Sequence, residues 1–318
     1  MTVSQKKIAE KLGVSIALVS RVLSGRAIEI GISPDTIDRV LETSREMGYV
    51  PSAAARALKG KATQTIGIVV YDFKDPFFSA MVEQLQMQSR RLNYSLVLTG
   101  FLQRIPDQKD LQLLHKHALD GLIIIGSALD SSWLNEFSHI PKVRIGHGDP
   151  EEGTLCITPD EIQSAQLIIE HLVATGRKSA AYLSTQLPAH HIRQTAVAEA
   201  ANACQLPLEL LVFPENNPFK AGQELAGTAP HVDALICATD VIAMGAIHAL
   251  ARSGRSIPKE IAVIGFDDIP IANQYLPSIT TIRQPIEKMA QTAFHALMHP
   301  NTRDEMRQPV QLIVRQSS

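Results

Sequence analysis

The sequence predicts an α/β protein in two parts: a short, all-helical N-terminal domain of helix-turn-helix form, and a larger body of parallel sheets. Three observations carry this. From Thr65 onward, short β-branched runs alternate with amphipathic helical stretches, as in parallel strands connected by helices on both sheet faces. Before Thr65 the chain reads as short capped helices with no such alternation. Charge divides at nearly the same place: residues 1–61 hold ten Lys/Arg against six Asp/Glu, a balance of +4, while the remainder holds twenty against twenty-six, or −6.

The N-terminal domain opens with two short helices around a tight turn, Ser4 to Leu23. Ser4 is placed to cap the first helix, with Ile8, Ala9 and Leu12 on its inner face. Gly13 supplies the positive φ that ends it. Ser15 caps the second helix, whose Val19, Val22 and Leu23 turn back to the first. Ile16, Ala17, Ser20 and Arg21 are left facing outward, the arrangement of an element that reads DNA. A glycine-bounded loop leads to a third helix begun by Ser33 and Pro34, with Ile37, Val40, Leu41 and Met47 inside and Gly48 at its end. Ser52 to Leu58 is a short alanine-rich helix, too short to be stable alone in water.

In the body, strands are expected at Ile66–Tyr71, Ser95–Thr99, Gly121–Ile125, Val143–Ile145, Ala180–Leu183, Leu210–Phe213, Ala234–Cys237, Ile261–Ile264 and Leu312–Val314. Helices are expected at Phe77–Leu92, Glu161–Thr175, Asp240–Ser253 and Ile286–Met298. The roughly 250 residues suit two such sheets better than one.

The N-terminal domain carries Ile8-Ala9, Gly13-Val14-Ser15 and Val19-Ser20-Arg21 at the spacings of the lactose-repressor (LacI/GalR) family, and the chain resembles that family throughout. The resemblance implies a two-lobed, periplasmic-binding-protein-like body, crossed by the chain near Thr158–Asp160, near Ile282–Pro285 and near Pro309. The stretch Thr280-Thr281-Ile282-Arg283-Gln284 closely matches the family's pattern at the second crossing. The domains expected are then residues 1–50 for the helix-turn-helix, 51–63 for a hinge helix and linker, and 64–318 for effector binding and dimerisation. Within the last, one lobe takes about 64–159 and 285–309, the other about 160–284 and 310–318. For DNA, the resemblance implies contacts from Ser4, Ser15, Ile16, Ala17, Ser20 and Arg21. It adds Ala55 and Leu58 of the hinge, the leucine wedged into the minor groove.

Ligands of open α/β sheets bind beyond the carboxyl ends of the strands, and four stretches fall there. Asp75-Pro76-Phe77-Phe78 resembles the family's effector-facing aromatic stretch. Adjacent aromatics on a helix diverge, so one ring is expected in the cleft. Arg193 aligns with the family's effector arginine, whose fork suits neighbouring hydroxyls. Thr239-Asp240 resembles the family's Asn-Asp, with Asp240 as helix cap. Asp267, in Gly265-Phe266-Asp267-Asp268, is the strongest single candidate for the pocket, and Asp268 is expected to cap the helix that follows. Asp160 is a further candidate from the first crossing. Purine-responsive relatives carry an arginine and an aromatic ring where this chain has Leu187 and Asn217. A sugar or sugar derivative is therefore the expected effector, with Asn217 adding capacity for hydroxyls.

Apolar content of 45% with 19% charged residues describes a globular protein. No apolar run approaches the roughly 20 residues of a membrane helix, and no secretory signal opens the chain, so a cytoplasmic protein is expected. Cys156, Cys204 and Cys237 read as reduced core residues. There is no nucleophile elbow, metal-ligand spacing or Gly-rich phosphate loop, so neither catalysis nor a cofactor or metal is expected. The expectation is a homodimeric regulator that binds double-stranded operator DNA under control of a small ligand, and functions as a repressor. The alternatives are the same fold with a purine or nucleoside effector, and a stand-alone small-molecule binding protein, for which the first 60 residues would have no use.

Overall fold

The computed structural model describes residues 3–49, 56–57, 60–101, 104–127, 130–148, 153–229, 231–300 and 306–318. It divides into two compact units, Met1–Thr63 and Gln64–Ser318.

The first unit is built of helices α1 (Gln5–Leu12), α2 (Ile16–Leu23) and α3 (Pro34–Glu46). The Ser4 and Ser15 hydroxyls accept from the backbone N–H of Lys7 and Leu18, at 3.4 and 3.1 Å, and each fixes where its helix starts. Gly13 ends α1 at φ 67°. Ile8, Ala9, Val19, Val22, Ala27 and Val40 form the small core, flanked by Ile37, Leu41 and Met47. Ser52, Ala55 and Leu58 lie outside the described residues.

The second unit holds two six-stranded sheets. The first has the order β11-β5-β4-β3-β1-β2, from β1 (Thr65–Val70), β2 (Ser95–Gly100), β3 (Gly121–Ile125), β4 (Lys142–Ile145), β5 (Leu155–Pro159) and β11 (Arg307–Gln308). The second has the order β12-β10-β9-β8-β6-β7, from β6 (Ala180–Thr185), β7 (Leu208–Phe213), β8 (Ala234–Cys237), β9 (Ala262–Asp267), β10 (Thr280–Arg283) and β12 (Gln311–Ile313). Every pairing is parallel except β10 with β12. The chain passes from one sheet to the other after β5, after β10 and after β11. Three strands that periodicity misses, β5, β10 and β11, are short and sit beside these passages.

Both faces of the first sheet are buried. Met81 and Leu85 of α4 (Pro76–Arg91) join Met289, Ala290 and Phe294 of α11 (Ile286–Met298) on one side; Leu111 and Leu114 of α5 (Gln108–His115), with Trp133, Leu134 and Phe137, cover the other. The second lobe packs around β6, β8 and β9 with α6 (Glu161–Ala174), α7 (Pro188–Ala203), α8 (Pro218–Thr228), α9 (Asp240–Arg252) and the short α10 (Pro270–Gln274). Helices α8 and α9 cross where Gly222 meets the backbone of Ile242 and Gly245 that of Phe219, leaving no room for a Cβ on either glycine. Of the cysteines, Cys237 is buried, but Cys204 is exposed because it is the residue that closes α7.

Candidate functional site

A cavity opens between the two sheets of the body, lined almost entirely by residues that follow strand carboxyl ends. It has room for several waters, or for a small organic molecule in their place. Tyr71 and Asp75 come after β1, Ser127 after β3, His147 after β4, Glu161 after β5, His190 and Arg193 after β6, Thr239 after β8, Asp267 ends β9, and Gln284 follows β10.

The aromatic wall comes from the start of α4. Asp75 caps this helix, its Oδ1 accepting from the Phe77 N–H at 2.9 Å. Phe77 and Phe78 meet edge to face, centroids 5.8 Å apart, and both line the cavity. Sequence reasoning places one ring there; both rings are only partly buried at the first turn of the helix, packing on the core at one edge and reaching the opening at the other. Burial raises the Asp75 carboxyl to about 6 against the opposing N–H bond from Phe77, and Asp72 pushes in the same direction as burial.

Arg193 lies within α7 and is almost fully buried. Its Nε and Nη2 donate to the two carboxylate oxygens of Glu161 at 3.0 and 3.1 Å, and Nη1 donates to the Ala238 carbonyl. Its guanidinium carbon is 3.2 Å from the centre of the Phe266 ring. Burial alone raises Glu161, but the Arg193 charge and the bonds from His147 and Arg193 outweigh it and hold the carboxyl below its usual range. His147 Nε2 is 3.3 Å from the same carboxylate.

Asp267 sits at φ 110°, a conformation that costs a non-glycine residue energy and persists only where its surroundings hold it. The Gln284 side-chain amide donates to its Oδ1 at 2.7 Å. Burial lifts its carboxyl well above the usual range against the nearby Arg193 charge, and the Asp75 and Asp240 charges add to the rise. His190 is held neutral: burial first, then the Arg193 charge, lower it to about 3. The Thr185 N–H donates to its Nδ1 at 3.2 Å, so the ring proton sits on Nε2.

The structure brings Asp75, Phe77, Phe78, Arg193, Thr239 and Asp267 to one cavity and leaves four sequence assignments elsewhere. Thr239, not Asp240, caps α9, its hydroxyl accepting from the Ile242 N–H at 3.3 Å. Asp240 is buried beneath the site, accepting from the Ile269 N–H at 2.9 Å and the Thr281 hydroxyl at 2.6 Å. Gly265 makes room for it, since a Cβ there would strike its carboxylate. Asp160 caps α6 through the Gln163 N–H, and its neighbour Glu161 enters the cavity instead. Asn217 is an exposed cap of α8, its oxygen accepting from the Lys220 N–H, and does not line the cavity. Asp268 caps nothing: Arg283 and Arg315 each donate to it at 2.5 Å. Sequence reasoning misses Tyr71, Ser127, Glu161 and Gln284; of these, Glu161 and Gln284 carry a local signal, each standing at a lobe crossing.

In the N-terminal domain, Ile16, Ala17 and Arg21 are exposed on α2, with Ser20 partly so. Ser4 and Ser15 are exposed at the helix starts they cap. No helix among the described residues is long and apolar enough to cross a membrane.

Residues 169–318 match the periplasmic binding protein-like domain family. The helix-turn-helix transcriptional regulator RegA of Clostridium saccharobutylicum is 30% identical, covering 97% of this chain and 96% of its own. The regulator GalS of Salmonella typhimurium is 32% identical over 91% of this chain and 87% of its own. Among solved structures, the lac repressor dimer bound to operator and an anti-inducer superposes with a TM-score of 0.85 at 22% identity, over 100% of this chain and 99% of that one. A LacI-family regulator from Enterococcus faecium with bound ribose gives 0.71 at 26% identity, over 80% and 98%.

Proposed function

The chain belongs to the lactose-repressor (LacI/GalR) family of transcriptional regulators, and from that premise we propose that it is a repressor whose grip on operator DNA is set by a sugar or sugar derivative held between the lobes of its body. As a member of that family it is a sequence-specific DNA-binding regulator that works as a homodimer on double-stranded DNA. The ribose-bound relative supports a sugar as effector.

One observation carries the reading of the cavity. The groups suited to a polyol come from both lobes: Asp75 and the two phenylalanines from the first, Arg193 and Asp267 from the second. A ligand that touches both lobes binds the closed body better than the open one and shifts that equilibrium by its difference in affinity. A pyranose face stacks on the aromatic pair while Asp267 and the remaining Arg193 donors take its hydroxyls. Leu187 lines the cavity without a polar group, which suits a sugar better than a heterocycle edge. In the N-terminal domain, Arg21 contacts a base edge or phosphate, Ile16 and Ala17 make apolar base contacts, and Ser4, Ser15 and Ser20 lie along the backbone. Ala55 and Leu58 serve the minor groove, as the family resemblance implies.

Calorimetry with wild type and Asp267→Ala tests the site. The substitution is expected to weaken sugar binding by about 1–3 kcal/mol. Sugar binding at full affinity by the variant removes Asp267 from the site, and tight binding of a purine by wild type overturns the effector class.

A further inference from the structure

The charges in the cavity do not balance. Three carboxylates line it, Asp75, Glu161 and Asp267, against one guanidinium, Arg193; among the described residues, no lysine and no other arginine lines it. Arg193 and Glu161 form a closed pair, each side chain only 6% exposed, so their charges cancel before any ligand arrives. The acids that remain, Asp75 and Asp267, come from opposite lobes and meet the same space. Their hydrogen-bond donors are neutral: a backbone N–H for Asp75 and the Gln284 amide for Asp267. The other titratable groups there do not supply a free cation. His190 is neutral, Tyr71 carries no positive charge, and His147, a cation only when protonated, hydrogen-bonds Glu161 and neither of the remaining acids. Beside the two acids stand the rings of Phe77, Phe78 and Tyr71, and an ammonium group is attracted to aromatic faces as well as to carboxylates.

Resting on the sugar-effector reading above, we propose that the effector carries a primary ammonium group on its ring, making it an amino sugar, with that group lodged between Asp75 and Asp267. A neutral hexose leaves two acids in one cavity with only the Arg193 charge nearby, already paired with Glu161, or keeps them protonated. An ammonium answers both, donates up to three hydrogen bonds, and draws the lobes together because its two counter-charges belong to different lobes. Arg193 and Glu161 then act as a charge-neutral floor beneath the ring hydroxyls.

The test is calorimetry at pH 7 with glucosamine, galactosamine and mannosamine, each beside its parent hexose and its N-acetyl derivative, which keeps the nitrogen but removes the charge. One amine is expected to bind at least about ten-fold more tightly than both of its neutral partners, the order supplied by a charge-assisted bond. Its binding is also expected to release protons, seen as a dependence of the measured heat on the ionisation enthalpy of the buffer. Asp75→Asn, checked for folding by its thermal melt, is expected to reduce the preference of amine over parent to within about two-fold and to diminish the proton release. A parent hexose that binds as tightly as its amine overturns the ammonium assignment and leaves the sugar reading standing. Failure of all three amines to bind at millimolar concentration also overturns it, and a purine binding where no sugar does overturns the sugar reading itself.

Discussion

The N-terminal domain and the body each present an arginine, and the two sit in opposite physical regimes. Arg21 is exposed on α2, its stem and charge in water. Arg193 is nearly fully buried, with three of its nitrogens engaged by Glu161 and Ala238. Water already solvates the first, so its removal leaves the fold intact and costs only what it does for a partner. Desolvation makes the second expensive to hold and more expensive to break, because deleting one partner strands the other's charge. The N-terminal domain is thus tuned at its surface and the body through its interior.

The largest effect that sharpens this contrast is expected at the buried pair. Glu161→Leu is expected to destabilise the body by about 3–5 kcal/mol, seen in urea unfolding, whereas Glu161→Leu with Arg193→Met is expected to recover most of the loss. Equal destabilisation by the single and the double variant breaks the comparison. Next comes Arg21→Ala, expected to weaken operator binding by about 1–3 kcal/mol in a titration at fixed salt. Unfolding of the body is expected to stay within about 0.5 kcal/mol. Undiminished operator affinity removes Arg21 from the interface. The smallest effect belongs to the N-terminal domain's own ion pair. Lys11 Nζ lies 3.1 Å from Glu46 Oε2, with both side chains at least half exposed. Lys11→Ala is expected to cost under about 1 kcal/mol and the loss to fade in salt, since water screens the pair.

Much of the architecture is legible in the sequence because it rests on local periodicity. Strands Gly121–Ile125 and Ala234–Cys237 and helix Ile286–Met298 have the bounds their sequence patterns give. β5, β10 and β11 are not legible as strands, since runs of five, four and two residues carry little alternation of their own. In the cavity, the misplaced residues share one cause. Asp160, Asn217 and Asp240 all stand at helix starts after strands, where an oxygen-bearing side chain serves a cap and a ligand equally well. Only packing decides: the first two turn back onto their own helices, and Asp240 is drawn under β9 by Thr281 and Ile269. Tyr71 and Ser127 escape notice for the converse reason. Nothing local marks them, and their part comes from sequence-distant strands ending side by side.

The triple passage of the chain between the sheets has a consequence for biosynthesis. The three helices of the N-terminal domain pack among residues near one another in sequence and can form as soon as they leave the ribosome. Neither lobe has that option. The first sheet waits for Arg307–Gln308 and the second for Gln311–Ile313, while Ser317, wholly buried, donates to Val263 and accepts from Thr280. A chain that stops short of Arg307 therefore carries a finished N-terminal domain tethered to two unfinished lobes, a product with no completed cavity for a ligand and exposed to proteases.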